Sequence, residues 1–167
     1  MLNASLCHLA TPAPHGHKSA TLPGFKKVDF SKLPIGHAFF NGGFLDDASP
    51  KIATQAANTT AIIGEDGGSP AVLLICQEDG GVIFNFGFPV KGAVFTYKNN
   101  DRYAVTISVV NGGSMTLVEF VIPGGESANI PVTKESMGPG FTPSPVIVVI
   151  FGKQPAALTL TGIQYES

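Results

Sequence analysis

Between Arg102 and Ile122 apolar and polar positions alternate with a period of two. Val105, Ile107 and Val109 interleave with Thr106 and Ser108, the chain breaks at Asn111-Gly112-Gly113, and Thr116, Val118, Phe120 and Ile122 answer. Side chains of an extended chain point to opposite faces in turn, so the pattern predicts two half-buried strands. Asn-Gly between them predicts a tight hairpin, because both residues of such a turn take positive φ. Val94-Phe95-Thr96-Tyr97 upstream and a strand near Ser127 to Thr133 downstream extend this unit to a four-strand meander. Val82, Phe84, Phe86 and Phe88 fall on one face of another strand and read as core. Val146 to Phe151 is apolar throughout, so both its faces should be covered, as a central strand between layers or at a subunit contact. Near the end Leu158 and Leu160 share a phase that shifts to Ile163 and Tyr165, which predicts a bulge at Gly162.

Such strands recur at short intervals with Gly, Asn, Asp or Pro between them, and no long helical period appears, so the fold class is all-β, an antiparallel β-sandwich of the jelly-roll kind. Its core is expected to use Phe30, Leu74, Phe84, Phe86, Val105, Ile107, Phe120, Val148 and Ile150. Residues 1–24, with Pro12, Pro14, Gly16, Pro23 and Gly24, read as a flexible N-terminal tail; residues 25–167 read as a single sandwich domain. Residues 45–58 are polar or small and read as a long surface loop, a common place for function. Glu65-Asp66-Gly67-Gly68 and Glu78-Asp79-Gly80-Gly81 echo one another as two turns flanking one strand.

Composition narrows the functions. The chain has 167 residues and a formal charge of −2, enough for one core but without the clustered Lys and Arg that nucleic acid or an anionic membrane surface requires. Even an apolar run such as Val146 to Phe151 is far short of the roughly 20 residues of a membrane-spanning helix. The two cysteines, Cys7 and Cys76, make no disulfide framework; Cys76 reads as a small buried hydrophobe, and pairing with Cys7 stays open. The sequons at Asn3 and Asn58 point to an extracellular, secreted setting, although no secretory signal is recognisable at the N-terminus.

Candidate chemistry is sparse. His15 and His17 have ligand spacing but lie in the tail without identifiable further ligands, and His8 and His37 stand apart. Asp46-Asp47 offers paired carboxylates in an unconstrained loop, which makes calcium the candidate metal there. A glycosidase would need two carboxylates across a cleft, and Asp29, Asp46, Asp47, Glu119 and Glu126 offer no preferred pair. No nucleophile elbow, zinc-protease, P-loop or dinucleotide motif stands in a suitable context, so no catalytic residue is assigned and the chain reads as a non-enzyme. Tyr97, Tyr103 and Tyr165, with Asn99, Asn100 and Asp101, form the best ligand-binding cluster, its contacts expected from Tyr97, Asn99, Asn100, Asp101 and Tyr103: an aromatic face stacks on the apolar face of a sugar ring while amides and carboxylates take its hydroxyls.

Val28-Asp29-Phe30-Ser31-Lys32-Leu33-Pro34-Ile35-Gly36 resembles the Phe-x-x-Leu-Pro-x-Gly start of secreted jelly-roll domains of the carbohydrate-binding-module kind, and Ala157 to Tyr165 looks like their last strand. The resemblance implies a non-catalytic, lectin-like glycan binder, with a structural calcium for which Asp46 and Asp47 are the available residues. It departs from the pattern in having no Trp, so any stacking platform must use Tyr. The alternatives are a self-assembling, coat- or capsid-like subunit working as a homo-oligomer and, less favoured, a small hydrolase on a β scaffold.

Overall fold

The computed structural model describes residues 6–9, 11–12, 21–39, 43–44, 51–54, 59–152 and 154–167. Eight strands carry the fold: β7 (Ser69–Cys76), β8 (Gly81–Val90), β9 (Gly92–Asn99), β10 (Val105–Asn111), β11 (Thr116–Ile122), β12 (Ser127–Val132), β13 (Ser144–Phe151) and β14 (Ala156–Glu166). They pair antiparallel as β10 with β11, β9 with β12, β8 with β13 and β7 with β14. Successive pairs alternate between two sheets, ordered β11-β10-β13-β8 and β12-β9-β14-β7. This is a long two-stranded ribbon rolled over itself, the jelly roll expected from the spacing of the strands.

The rolling corrects the predicted meander. β10 and β11 form a hairpin, but β9 and β12 cross to the other sheet and pair with each other. Alternation along a strand says which face is buried, not which sheet supplies the neighbour, and the connections 100–104 and 123–126 are long enough to span the end of the sandwich. The hairpin loop also differs: Asn111 pairs with Thr116, and among the loop residues positive φ falls at Met115 rather than at Asn111. The Asn111 side chain is buried and accepts from Gly113 N while donating to Thr142 O.

Shorter strands extend both sheets. β1 (Leu6–Leu9) runs parallel to β11, and β2 (Thr11–Pro12) pairs with β12. Two described pieces of the segment read as a flexible tail, residues 6–9 and 11–12, thus add an edge strand to each sheet. β3 (Lys26–Lys27) lies beside the end of β14; β4 (Gly43–Phe44) and β5 (Lys51–Thr54) extend the sheet beyond β8, and β6 (Thr59–Asp66) flanks β7. A single helical turn, α1 (Lys134–Met137), is capped by Thr133 and Ser136 in a reciprocal capping box. Among the described residues no helix is long and apolar enough to cross a membrane.

The core lies between the sheets. Phe84 meets Phe95 at 4.6 Å between ring centroids, Tyr97 meets Phe95 at 6.4 Å and Phe151 at 6.2 Å, and Phe86 meets Tyr165 at 5.3 Å. Phe30, Leu74, Val105, Ile107 and Phe120 are buried as expected, but Val148 and Ile150 are not; Ile147, Val149 and Phe151 face inward in their place. β13 is a central strand within its sheet, with only one face on the core. Its apolar outer face comes from lateral packing: by register, Leu117, Val110, Val148 and Ile83 form one row across four strands. The β14–β9 register shifts between Leu160 and Gly162, which lets both Leu160 and Ile163 point inward.

Candidate functional site

The connection from β9 to β10, residues 100–104, closes one end of the sandwich, and its conformation is dictated by Asn99. That side chain is fully buried; its Nδ2 donates to Tyr103 O at 2.8 Å, Ile122 O at 3.1 Å and Pro123 O at 3.3 Å, and its Oδ1 accepts from Asp101 N at 2.9 Å. An amide has two N–H donors and an acceptor, so the two hydrogens are shared among the three carbonyls and one side chain ties together two backbone segments, 101–103 and 122–123. Asp101 Oδ2 accepts from Ala157 N and its carbonyl accepts from Gly125 N, both at 2.9 Å. Asn100 donates from Nδ2 to Thr159 Oγ1 at 2.8 Å and from its backbone N to Ala157 O. Asn99, Asn100 and Asp101, expected as ligand contacts, thus pin the loop to the end of β11, to β14 and to the 123–125 turn.

What the pinned loop presents is Tyr103, 62% exposed. Beside it lies a depression of about 280 Å³, lined by Tyr103, Thr106, Gly152, Gln154 and Pro155. The β10–β13 pairing brings its two walls together: Gly152 N donates to Thr106 O at 3.1 Å, which extends the ladder one step past the end of β13. The site therefore offers one ring face, a hydroxyl from Thr106, the amide of Gln154 and the apolar edge of Pro155, a set suited to recognising a neutral polyhydroxylated ring.

Tyr97 is corrected outright. It shows no exposed surface and lies between Phe95 and Phe151 in the core, because it occupies the inward phase of β9, two residues from both Phe95 and Asn99. Asp46, Asp47, Asn3, Asn58, His15 and His17 lie outside the described residues, as do the side chains of Cys7 and His8. Among the described residues no three His, Cys, Asp or Glu side chains gather where they would hold a metal ion. Thr106, Gly152, Gln154 and Pro155 were not singled out from sequence. The only local signal was the abrupt end of the apolar run at Gly152, and their meeting with Tyr103 is a long-range contact.

Electrostatically the displaced groups lie apart from the depression. Hydrogen bonds from the Ser31 hydroxyl and backbone hold the exposed Asp29 carboxyl below its ordinary range. Burial, with the Asp101 charge adding to it, pushes the Cys76 thiol up to about 12, and burial also pushes the Tyr97 phenol well above its ordinary range. Both groups are neutral when protonated and are held protonated by the fold, so their contribution is complete below the ordinary thiol range and is lost as pH rises toward 12. We expect unfolding free energy to fall steadily from about pH 9 upward in urea titrations, and Cys76→Ala to flatten part of that slope. An unchanged slope in the variant would contradict a protonated thiol at this position.

No model of a known protein family matches the chain, and no curated protein matches it either. Among solved structures, it is similar to a point variant of a family 29 carbohydrate-binding module, with 15% identity and a TM-score of 0.51 over 84% of this chain and 89% of the module. A second variant of a family 29 module, complexed with mannohexaose, gives 16% identity and a TM-score of 0.50 over 84% and 89%. A family 11 carbohydrate-binding module from Clostridium thermocellum, in complex with a β-1,3-1,4-mixed-linked tetrasaccharide, gives 11% identity and 0.50 over 89% and 98%. At these identities the likeness establishes the shared fold.

Proposed function

We propose that this protein is a non-catalytic, lectin-like carbohydrate-binding module that works in an extracellular setting and holds its glycan in the depression beside Tyr103. The observation that carries the proposal is that ring: a tyrosine 62% exposed, on a loop fixed by buried hydrogen bonds, next to a small polar depression. A flexible exposed aromatic would lose ordering entropy on binding; one whose backbone is already fixed loses less. The fold shared with modules that hold mannohexaose and a mixed-linked tetrasaccharide supports the ligand class.

The test is a glycan array probed with the purified protein, once with calcium and once with EDTA, followed by calorimetry on the best glycan. Tyr103→Ala is expected to weaken binding by at least about tenfold, some 1.4 kcal/mol, while unfolding free energy stays within about 0.5 kcal/mol because the side chain is exposed. A blank array defeats the proposal; unchanged affinity in Tyr103→Ala defeats this placement of the site. Calcium at Asp46 and Asp47 is a proposal from sequence alone, and loss of binding in EDTA would support it.

A further inference from the structure

The geometry points to a ligand of one or two sugar residues, the terminal part of a glycan taken end-on, rather than the interior of an extended polysaccharide. This rests on the Tyr103 site being the glycan site and specifies what it accepts.

An extended chain laid across a sheet is held by stacking several of its rings on several aromatic side chains, since each stacked face adds its own contribution. The described surface provides no such row. Tyr103 is the one aromatic residue among the most exposed large apolar side chains of the described surface, with Leu22, Ile35, Leu73, Ile75, Met115 and Leu117; Phe25, Phe88 and Phe141 are half-buried and do not line the depression. The outer face of the β11-β10-β13-β8 sheet carries aliphatic and polar side chains, as in the row Leu117, Val110, Val148 and Ile83 and the neighbouring row Glu119, Ser108 and Ile150. On the outer face of the β12-β9-β14-β7 sheet the hydroxyls and amides are spent internally: Thr96 Oγ1 donates to Asn129 Oδ1 at 2.8 Å, Thr159 accepts from Asn100, and Lys98 pairs with Asp66 at 3.1 Å. Tyr165 and Phe86, which would otherwise add rings, are buried against each other.

Size and position agree with this. The depression of about 280 Å³ falls just below the roughly 300–1,000 Å³ of pockets that enclose drug-sized ligands. At ~30 Å³ for each water-sized group it holds about nine such groups, so a single pyranose ring fills it. It lies at the end of the sandwich, where the 100–104 connection meets the residues after β13, so a chain entering it leaves toward solvent and meets no second ring face among the described residues.

The test titrates full-length protein with the methyl glycoside of the sugar selected on the array and with homologous oligosaccharides of increasing length up to a hexasaccharide. Affinity is expected to level off by the disaccharide, changing by less than about threefold from there to the hexasaccharide, and Tyr103→Ala is expected to weaken all of them alike, by about tenfold or more. Affinity that keeps rising, to tenfold or more between disaccharide and hexasaccharide, overturns the end-on inference; if Tyr103→Ala still weakens the hexasaccharide, the glycan-binding proposal survives. Absence of binding to every member defeats both. Length-independent binding that is indifferent to Tyr103→Ala overturns the inference by removing it from this depression.

Discussion

Replacing Asn99 by alanine should lower the unfolding free energy by about 3 kcal/mol or more and abolish glycan binding with it. The two N–H groups of this one buried side chain are shared among the carbonyls of Tyr103, Ile122 and Pro123, and its oxygen accepts from the N–H of Asp101, about three hydrogen bonds in all. Each is worth about 1 kcal/mol net, and removal leaves buried backbone groups without partners, a further cost of about 1–3 kcal/mol apiece where water cannot enter. Asn99→Asp keeps the shape but sets a carboxylate against three carbonyl oxygens, so it should be at least as damaging near neutral pH and partly recover as the carboxyl protonates in acid. Urea denaturation of the two variants at pH 5 and pH 7.5 measures this. A loss below about 1 kcal/mol in Asn99→Ala, or binding that survives it, would mean that the loop is held by Asp101 and Asn100 without Asn99.

The same residue shows what was legible in the sequence. The strands and the sandwich class followed from local signals, since strands betray themselves by period two, but the pairing did not: β9 and β12 pair in the other sheet from the β10–β11 hairpin, which alternation cannot tell. The cluster from Tyr97 to Tyr103 was also visible as an unusual run of amides and rings. Its division of labour was not, because it depends on phase within β9. Tyr97 and Asn99 share the inward face set by Phe95, so the ring joins the core and the amide becomes an internal cap, while Tyr103, beyond the end of the strand, is free of that phase. Val148 and Ile150 misled for the opposite reason: an all-apolar strand erases the alternation that marks the inner face, and only pairing with Ser108 and Val110 shows that they face outward. The second wall of the depression, Gly152 to Pro155, was beyond reach, since it meets Tyr103 through the β10–β13 pairing across some 50 residues of chain.

Gly124→Ala is expected to weaken glycan binding by at least about tenfold while the protein still folds, and Gly125→Ala is not. A β-carbon at position 124 would run into the backbone of the facing loop, the carbonyl of Arg102, and would lie 2.9 Å from Tyr103 N. Backbone atoms cannot swing aside as the end of a side chain can, so the Arg102–Tyr103 peptide must shift and carry the Tyr103 ring with it. Overpacking of this kind costs about 1–3 kcal/mol, and because it falls at the sandwich end the core beneath is left intact. Gly125 adopts φ +74°, and a β-carbon there meets nothing within 4 Å. Alanine at that position therefore pays only for the left-handed backbone, roughly 1–2 kcal/mol. The two substitutions are adjacent and similar in stability cost, so calorimetry on the pair separates position from stability. Loss of binding in Gly124→Ala alone identifies the 123–124 turn as the support that sets Tyr103, whereas equal loss in both would tie binding to stability and leave Tyr103 without a special geometry.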